Sequence, residues 1–116
     1  MHRDIQILEE LGIVIATDFA QCIGPLENDQ LTIPFEILVD LTLRSVIAEI
    51  IAVNAVPRVL TFSNSLGNNG YEDIQKIVNK VKNELALEQL DFLVSSEKNF
   101  IPHETALSVT LSLIHI

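Results

Sequence analysis

Cysteine and positive charge are both scarce in this sequence, and each shortage excludes a class of protein. Cys22 is the only cysteine, so no disulfide can form within the chain, and we expect a reducing, cytoplasmic location. The 7 Lys and Arg residues are outnumbered by 16 Asp and Glu, for a net charge of −9. Because this charge repels phosphate backbones and anionic lipids, we expect neither nucleic acid nor a membrane surface as a partner.

Long uncharged apolar runs and several common catalytic motifs are also missing. No run reaches the ~20 residues that span a bilayer, and the N-terminus lacks the apolar core of a signal peptide. There is no Gly-x-x-x-x-Gly-Lys-Ser/Thr phosphate loop and no Gly-x-Gly-x-x-Gly motif. The 3 histidines lack the spacing of zinc ligands, and no serine lies in a glycine-rich elbow. Carboxylates are therefore the chemically interesting groups that remain.

The longest apolar segment, residues 33–57, predicts a helix that the rest of the chain covers. Pro34 suits the first helical turn and Pro57 marks the end of the helix. Apolar residues occupy more than one stripe of this helix, which is typical of a core element. Arg44 and Glu49 lie inside this run, so each must reach a partner, an ion or solvent. Glu49 therefore either faces a metal ion or pairs structurally, most simply with Arg44.

The remaining patterns predict five strands and a second helix, in the order β-β-α-β-α-β-β. Alternating or β-branched runs predict strands at 4–8, 11–17, 58–63, 90–94 and 105–116. Apolar residues at helical spacing predict the second helix at 70–88, after a Gly-Asn-Asn-Gly loop. A chain of 116 residues makes a single domain. We predict an α+β two-layer sandwich, in which both helices cover one face of a mixed β-sheet.

The second face of this sheet has no helix left to cover it. We expect Ile13, Ile15, Val59 and Val109 to contribute apolar side chains there, in a patch larger than soluble monomers usually expose. A second copy of the chain, related by a two-fold axis, would bury this patch. The sequence therefore predicts a homodimer that forms through the sheet.

Four acids lie at predicted strand ends or inside apolar runs, namely Asp4, Asp18, Glu49 and Glu97. Oxygen ligands at such positions can converge on a Mg²⁺ ion that bridges the phosphates of a nucleotide. The polar cluster that begins at Ser95 follows a predicted strand, where α/β sheets present ligands. From the residues alone, ordinary solvated acids are the alternative.

Four segments together carry a resemblance to a known family. They are RSVIAEIIAVNAVP at 44–57, IATD at 15–18, SSEKNF at 95–100 and TALSVT at 105–110. They resemble the signature helix, the strand with a metal-binding Asp, an acidic tract and a later strand of the superfamily related to aminoimidazole-ribonucleotide (AIR) synthase. That superfamily includes thiamine-monophosphate kinase and selenophosphate synthetase, and the branch that the acidic tract resembles includes kinases of the nucleoside α-ribazole.

The resemblance implies an ATP- and Mg²⁺-dependent kinase or ligase that acts on a small-molecule phosphate acceptor, α-ribazole in the nearest branch. The implied site residues are Asp4, Asp18, Glu49 and Glu97 as metal ligands, with Lys98 and Asn99 as phosphate contacts. It implies that 1–116 is the N-terminal domain, whose sheets pair into a β-barrel across a two-fold axis. It also implies a second α/β domain beyond this chain, so we expect the isolated domain to be inactive.

Four positions depart from the family pattern. Asn54, Ser95, Ala106 and Ser108 occupy positions where glycines are usual, and each side chain crowds backbone that approaches the nucleotide in the family. The alternative function is therefore a non-catalytic dimerising module descended from the same family. Binding of ATP with and without Mg²⁺ separates the two hypotheses.

Overall fold

The computed structural model describes residues 4–114. Its elements are β1 (Ile5–Leu8), β2 (Ile13–Gln21), β3 (Ile23–Gly24), β4 (Leu31–Thr32), α1 (Phe35–Ala52), β5 (Val59–Asn64), α2 (Gly67–Leu85), β6 (Asp91–Ser96) and β7 (Ala106–Ile114), with a short 3-10 turn at Glu9–Leu11. The predicted order of the main elements is confirmed. The last two residues of the predicted strand 105–116 lie outside the described range. The short strands β3 and β4 pair in a separate small sheet before α1, which no sequence pattern predicted.

One five-stranded sheet organises the domain, in the order β1-β2-β7-β5-β6. The strands β5 and β6 are parallel and are connected by α2, whereas the other neighbouring pairs are antiparallel. The predicted mixed sheet is therefore confirmed. The last strand, β7, lies at the centre, because it inserts between β2 and β5 and hydrogen-bonds to both.

Both helices pack on the same face of the sheet, as predicted. The helix α1 contacts β2 and β7, while α2 contacts β6, and the two helices contact each other. The central strand supplies much of the opposite half of the core, with Leu107, Val109, Leu111 and Leu113 buried. Burial of each such side chain stabilises the fold by about 1.5–3 kcal/mol. Within residues 4–114, no helix is long and apolar enough to cross a membrane.

Charged side chains link α1 to α2 at the solvent side of their contact. Arg44 Nε donates to Asp40 Oδ1 at 2.6 Å, and Arg44 Nη2 donates to Glu84 Oε2 at 2.6 Å. These hydrogen bonds, first to Asp40 and then to Glu84, raise the pKa of Arg44 above its ordinary value. Because the guanidinium is already paired twice, the alternative in which Glu49 pairs with Arg44 is wrong.

The structure corrects three predictions. The strand β2 continues to Gln21, so Asp18 lies inside a strand and not at its end. Residues 67–70 form the first turn of α2 instead of a loop. Val109 is fully buried, because its register partners Asp18 and Phe62 place it on the face that the helices cover. Val109 is therefore a core residue and does not contribute to the uncovered face.

The side chains on the uncovered face of the sheet change from apolar to hydroxyl-bearing along the strands. At one end it carries Ile13, Ile15 and Val59, as predicted, and Val59 is 45% exposed. In the middle, threonines align across β2, β7 and β5. At the far end the aligned residues are Phe19 of β2 and serines of β7, β5 and β6. The face therefore offers an apolar surface at one end and a hydroxyl-rich surface at the other.

Candidate functional site

The side chain of Glu49 is the clearest anomaly in the described structure. Its Oε2 atom is the one buried side-chain polar atom within residues 4–114 that has no hydrogen-bond partner. Burial, together with the negative charges of Asp4 and Asp18, raises the pKa of Glu49 above its ordinary value. Glu49 is half-buried, and an unpartnered buried oxygen on a carboxylate is unfavourable, so this atom would gain from a cation.

The alternation of side chains along β2 explains why Asp18 lies on the face of the sheet that α1, with Glu49, covers. Alternate residues of β2, including Val14 and Ala16, are buried under the helices, and Asp18 continues that row toward α1. Asp4 precedes β1, and its carbonyl oxygen accepts a hydrogen bond from the Thr17 backbone at 2.8 Å. The charges of Asp4 and Asp18 therefore act on Glu49, and these are three of the four predicted metal ligands.

These three carboxylates fit Mg²⁺ in ligand type and in charge. Mg²⁺ prefers carboxylate oxygens and usually takes only one or two from the protein, with the rest from water and phosphate. A cation would give Glu49 Oε2 its missing partner and relieve the repulsion from Asp4 and Asp18. However, within residues 4–114 no group of three or more acidic, histidine or cysteine side chains is already spaced to hold an ion. The carboxylates are close enough to interact, but they do not form a preassembled coordination shell.

Glu97 lies in a different place. It follows β6, and its Oε1 accepts a hydrogen bond from the Asn99 backbone at 2.6 Å. Two strands separate β6 from β2 in the sheet, so three spacings of about 4.8 Å place Glu97 about 14 Å to the side of Asp18. Lys98 and Asn99 come next in the chain, both exposed, and they lie beside Gly67 at the start of α2. The predicted residues thus fall into two groups, one at Glu49 and one at Glu97.

A pocket of about 360 Å³ lies near Glu97, where β5 and β6 end and β7 begins. We call it the serine pocket, and its lining consists of Phe19, Ser63, Asn64, Ser65, Ser95, Ser96, Glu97, Ala106, Leu107 and Ser108. The sequence pattern predicts the polar cluster after β6 but no site at the Ser-Asn-Ser segment that ends β5. The signal was present, because polar residues that follow two consecutive strands meet at one edge when those strands are parallel neighbours.

The side chain of Asn64 joins the end of β5 to the end of β6. Its Nδ2 donates to Ser96 Oγ at 3.0 Å, and its Oδ1 accepts from the Leu66 backbone at 2.9 Å. Its carbonyl oxygen accepts from the Glu97 backbone at 3.0 Å. Gly70 is required beside it, because a Cβ there would lie 2.1 Å from Asn64 Oδ1. The backbone of Glu97 is therefore tied to the end of β5, while its carboxylate is held by the loop at Asn99.

The four departures from the family's glycines have a simple structural description. Asn54 has φ +61°, a left-handed conformation that glycine adopts freely and asparagine tolerates. Ser95, Ala106 and Ser108 all line the serine pocket. The added side chains thus narrow one pocket, which still has the volume of a small-molecule site.

Comparison with known proteins supports the fold. No protein-family model and no curated protein matches the sequence. Among solved structures, the chain superposes on thiamine monophosphate kinase (ThiL) from Aquifex aeolicus with a TM-score of 0.64 and 13% sequence identity, over 93% of this chain and 36% of that chain. A complex of AaThiL with AMPPCP and TMP gives a TM-score of 0.53 and 14% identity, over 86% of this chain and 31% of that chain.

At these identities the similarity establishes the fold alone. This chain spans about a third of the length of the kinase chains that it matches. Thiamine-monophosphate kinase belongs to the superfamily that the sequence motifs resemble, so the resemblance is confirmed at the level of the fold.

Proposed function

We propose that this chain is the ATP- and Mg²⁺-binding domain of an AIR synthase-related small-molecule kinase or ligase. The observation that carries the proposal is the buried, unpartnered Oε2 of Glu49, close to Asp4 and Asp18. The likeness to a kinase whose fold has been solved with an ATP analogue supports it. The phosphate acceptor is a small molecule, with α-ribazole suggested by the acidic tract at 95–100, and the location is cytoplasmic.

The two groups of residues serve different parts of the bound nucleotide. Asp4, Asp18 and Glu49 would hold Mg²⁺, which neutralises phosphate charge and orients the phosphates. Lys98 would act as a positive charge near phosphate and Asn99 as a hydrogen-bond donor. Because about 14 Å separates Glu97 from Asp18 across the sheet, Glu97 does not complete the same coordination shell within one chain. It would instead act at the Lys98 end of the site.

A second copy of the chain is the proposed partner of the uncovered sheet face. The apolar end of that face, with Ile13, Ile15 and Val59, has no cover within residues 4–114. Isologous pairing about a two-fold axis would bury it on both copies at once. Pairing of this kind closes the sheet edges into a barrel, which removes exposed edge strands.

Calorimetric titration of the chain with ATP, with and without Mg²⁺, tests this function. We expect heat of binding that requires Mg²⁺ and that disappears in Glu49→Gln. The matched control is Glu88→Gln, which makes the same chemical change at an exposed position. The titration is repeated on the full-length parent, where a second domain would add contacts to the nucleotide.

The alternative function is a non-catalytic dimerising module descended from this family. It is favoured by the absence of a preassembled ion site among residues 4–114 and by the replaced glycines. If neither the chain nor its full-length parent gives heat with millimolar ATP and Mg²⁺, the module is the correct description.

A further inference from the structure

The face of α1 that points away from the sheet is apolar and exposed. The sheet side of this helix, with Val39, Val46 and Ile50, is fully buried, so the predicted cover of the helix is present on that side. On the opposite side, positions spaced three or four residues apart form one uncharged row. We call this row the outer stripe, and it consists of the exposed residues Ile37, Leu41, Ser45, Ala48, Ile51 and Ala52.

Charged side chains between the outer stripe and α2 are paired within the chain. Lys76 Nζ lies 3.1 Å from Glu36 Oε2, and Arg44 contacts both Asp40 and Glu84. Another molecule with the same net charge can therefore approach this side of the stripe without meeting an unpaired charge. The contacts also show that α1 and α2 run parallel, with residue 76 level with residue 36 and residue 84 level with residue 44.

The outer stripe is complementary to itself in the size of its side chains. Its N-terminal half carries Ile37 and Leu41, which are 49% and 62% exposed, whereas its C-terminal half carries the small Ala48 and Ala52. A two-fold axis that crosses α1 beside Ser45 would place Leu41 against Ala48 of a second copy. The same axis would place Ile37 against Ala52. Large side chains of each helix would thus fill the grooves above small ones of the other, as close helix packing requires.

The charges of two copies related in this way would be complementary. Because Lys76 is level with residue 36, the axis would bring it beside residue 53 of the second copy. There α1 has just ended at Ala52, with no basic residue in its last turn, so the ammonium would meet the partial negative charge of that helix end. Near the axis, Arg44 uses Nε and Nη2 within its own copy, and Nη1 would donate to Glu84 of the second copy.

We infer that a second copy of the chain docks on the outer stripe, with the two α1 helices antiparallel about a two-fold axis beside Ser45. This contact goes beyond the proposed function and is separate from the proposed dimer through the sheet, because α1 lies on the opposite face. The 18 residues of α1 span about 27 Å, and one such face is smaller than the ~800 Å² per partner of a standard interface. The association is therefore weak, and it joins sheet-paired dimers into larger assemblies at high concentration.

Disulfide trapping at a defined register tests this pairing, because a covalent bond captures a weak complex. All variants carry Cys22→Ser, which removes the native thiol, and circular dichroism verifies that each is folded. Ser45→Cys should form a linked dimer under mild oxidation, because the axis brings the two thiols within bonding distance. Ile37→Cys is the matched control on the same stripe, since the axis leaves the two copies of residue 37 about 22 Å apart.

The rates and partners of cross-linking report the register. We expect Ser45→Cys to cross-link about tenfold or more faster than Ile37→Cys. Leu41→Cys mixed with Ala48→Cys should form a linked heterodimer, whereas each alone should cross-link slowly because its two copies lie about 10 Å apart.

Two further changes separate the outer stripe from the sheet face. Leu41→Glu places a charge on the stripe and should abolish cross-linking of Ser45→Cys, whereas Leu93→Lys, at an exposed position of β6, should leave it unchanged. Because each copy has a net charge of −9, added salt should speed the cross-linking by screening the repulsion between copies.

The inference is overturned if Ser45→Cys cross-links no faster than Ile37→Cys, or if Leu41→Glu leaves its rate unchanged. The trapping is repeated on the full-length parent, with a maleimide to probe the thiol introduced at position 45. A thiol that neither reacts nor cross-links is covered by another part of the parent, and a thiol that reacts without cross-linking leaves the stripe to a different protein. Either result in the parent overturns the inference.

Discussion

Replacing Glu49 with Gln tests whether this carboxylate is kept for a cation at the expense of stability. Its Oε2 atom is buried without a partner, and burial, Asp4 and Asp18 raise its pKa above the ordinary value of 4.5. A carboxyl whose pKa is raised on folding stabilises the fold while it is protonated, below the ordinary pKa. That stabilisation is lost as the pH rises through the folded-state pKa. The variant cannot ionise, so it escapes this loss at neutral pH.

The expected gain is modest. An unsatisfied buried polar group costs about 1–3 kcal/mol, and more when it is charged. The amide of Gln would still be unpaired, so only the part of the cost that comes from the charge is recovered. We expect Glu49→Gln to be more stable than the wild type by about 1 kcal/mol at pH 7, which corresponds to about 4 °C in Tm for a domain of this size. At pH 4 the two proteins should be equal.

The assay is urea unfolding from pH 4 to pH 8 in buffer with a chelator, followed by the same series with Mg²⁺. A site for Mg²⁺ adds about 1.4 kcal/mol to the wild type at ten times the Kd of the ion, and nothing to Glu49→Gln. Glu88→Gln controls for the loss of one negative charge at an exposed position. The reasoning is refuted if Glu49→Gln is the less stable protein at pH 7 in chelator, because Glu49 would then have a structural partner.

Three further outcomes follow from the structure. Gly70→Ala should destabilise the domain by about 1–3 kcal/mol in urea unfolding, because its Cβ would displace the Asn64 side chain; equal stability would show that Asn64 can move. Leu93 lies on the uncovered face, because it pairs with Thr61, and it is 63% exposed. Leu93→Lys should therefore dissociate the proposed dimer in sedimentation but leave the fold intact, whereas the buried Val109→Lys should unfold the chain; a wild-type monomer at micromolar concentration would contradict the dimer. Burial alone would raise the pKa of Asp29, but hydrogen bonds that Thr105 donates hold it below its ordinary value of 3.8. Asp29→Ala should therefore lower the free energy of unfolding by about 2 kcal/mol at pH 7, and by less as the pH falls through the folded-state pKa. An equal loss of stability at pH 2 would contradict that assignment.

The main elements could be predicted because their apolar residues repeat with a clear period. The core helix predicted at 33–57 is α1, and the amphipathic pattern after residue 70 is most of α2. The apolar pattern of β2 stops at Thr17, yet the strand runs on to Gln21, because pairing with β7 supplies partners for its backbone. Long-range pairing of this kind overrides local propensity, so the local pattern alone predicts Asp18 at a strand end when it lies inside the strand.

The assignment of Val109 failed for a related reason. Alternation in the last strand predicts that Leu107, Val109 and Leu111 share a face, and they do. It does not say which face of the sheet the helices cover. That choice depends on the insertion of β7 between β2 and β5, which no local pattern encodes. The same insertion separates Glu97 from Asp18 across the sheet, so two of the acids that the resemblance assigns to one metal site follow strands that are not neighbours.

The departures from the family's glycines favour an adapted site over a decayed one. If selection on the ligand site had ended, substitutions would be expected at positions unrelated to one another and to backbone requirements. Instead, Asn54 keeps a left-handed backbone at φ +61°, which few residues other than glycine and asparagine adopt readily. Ser95, Ala106 and Ser108 line a single pocket, to which the two serines add hydroxyl groups. Small residues that narrow the pocket, two of them with added hydroxyl groups, would alter what it recognises without closing it, so the pattern favours a different ligand over loss of binding.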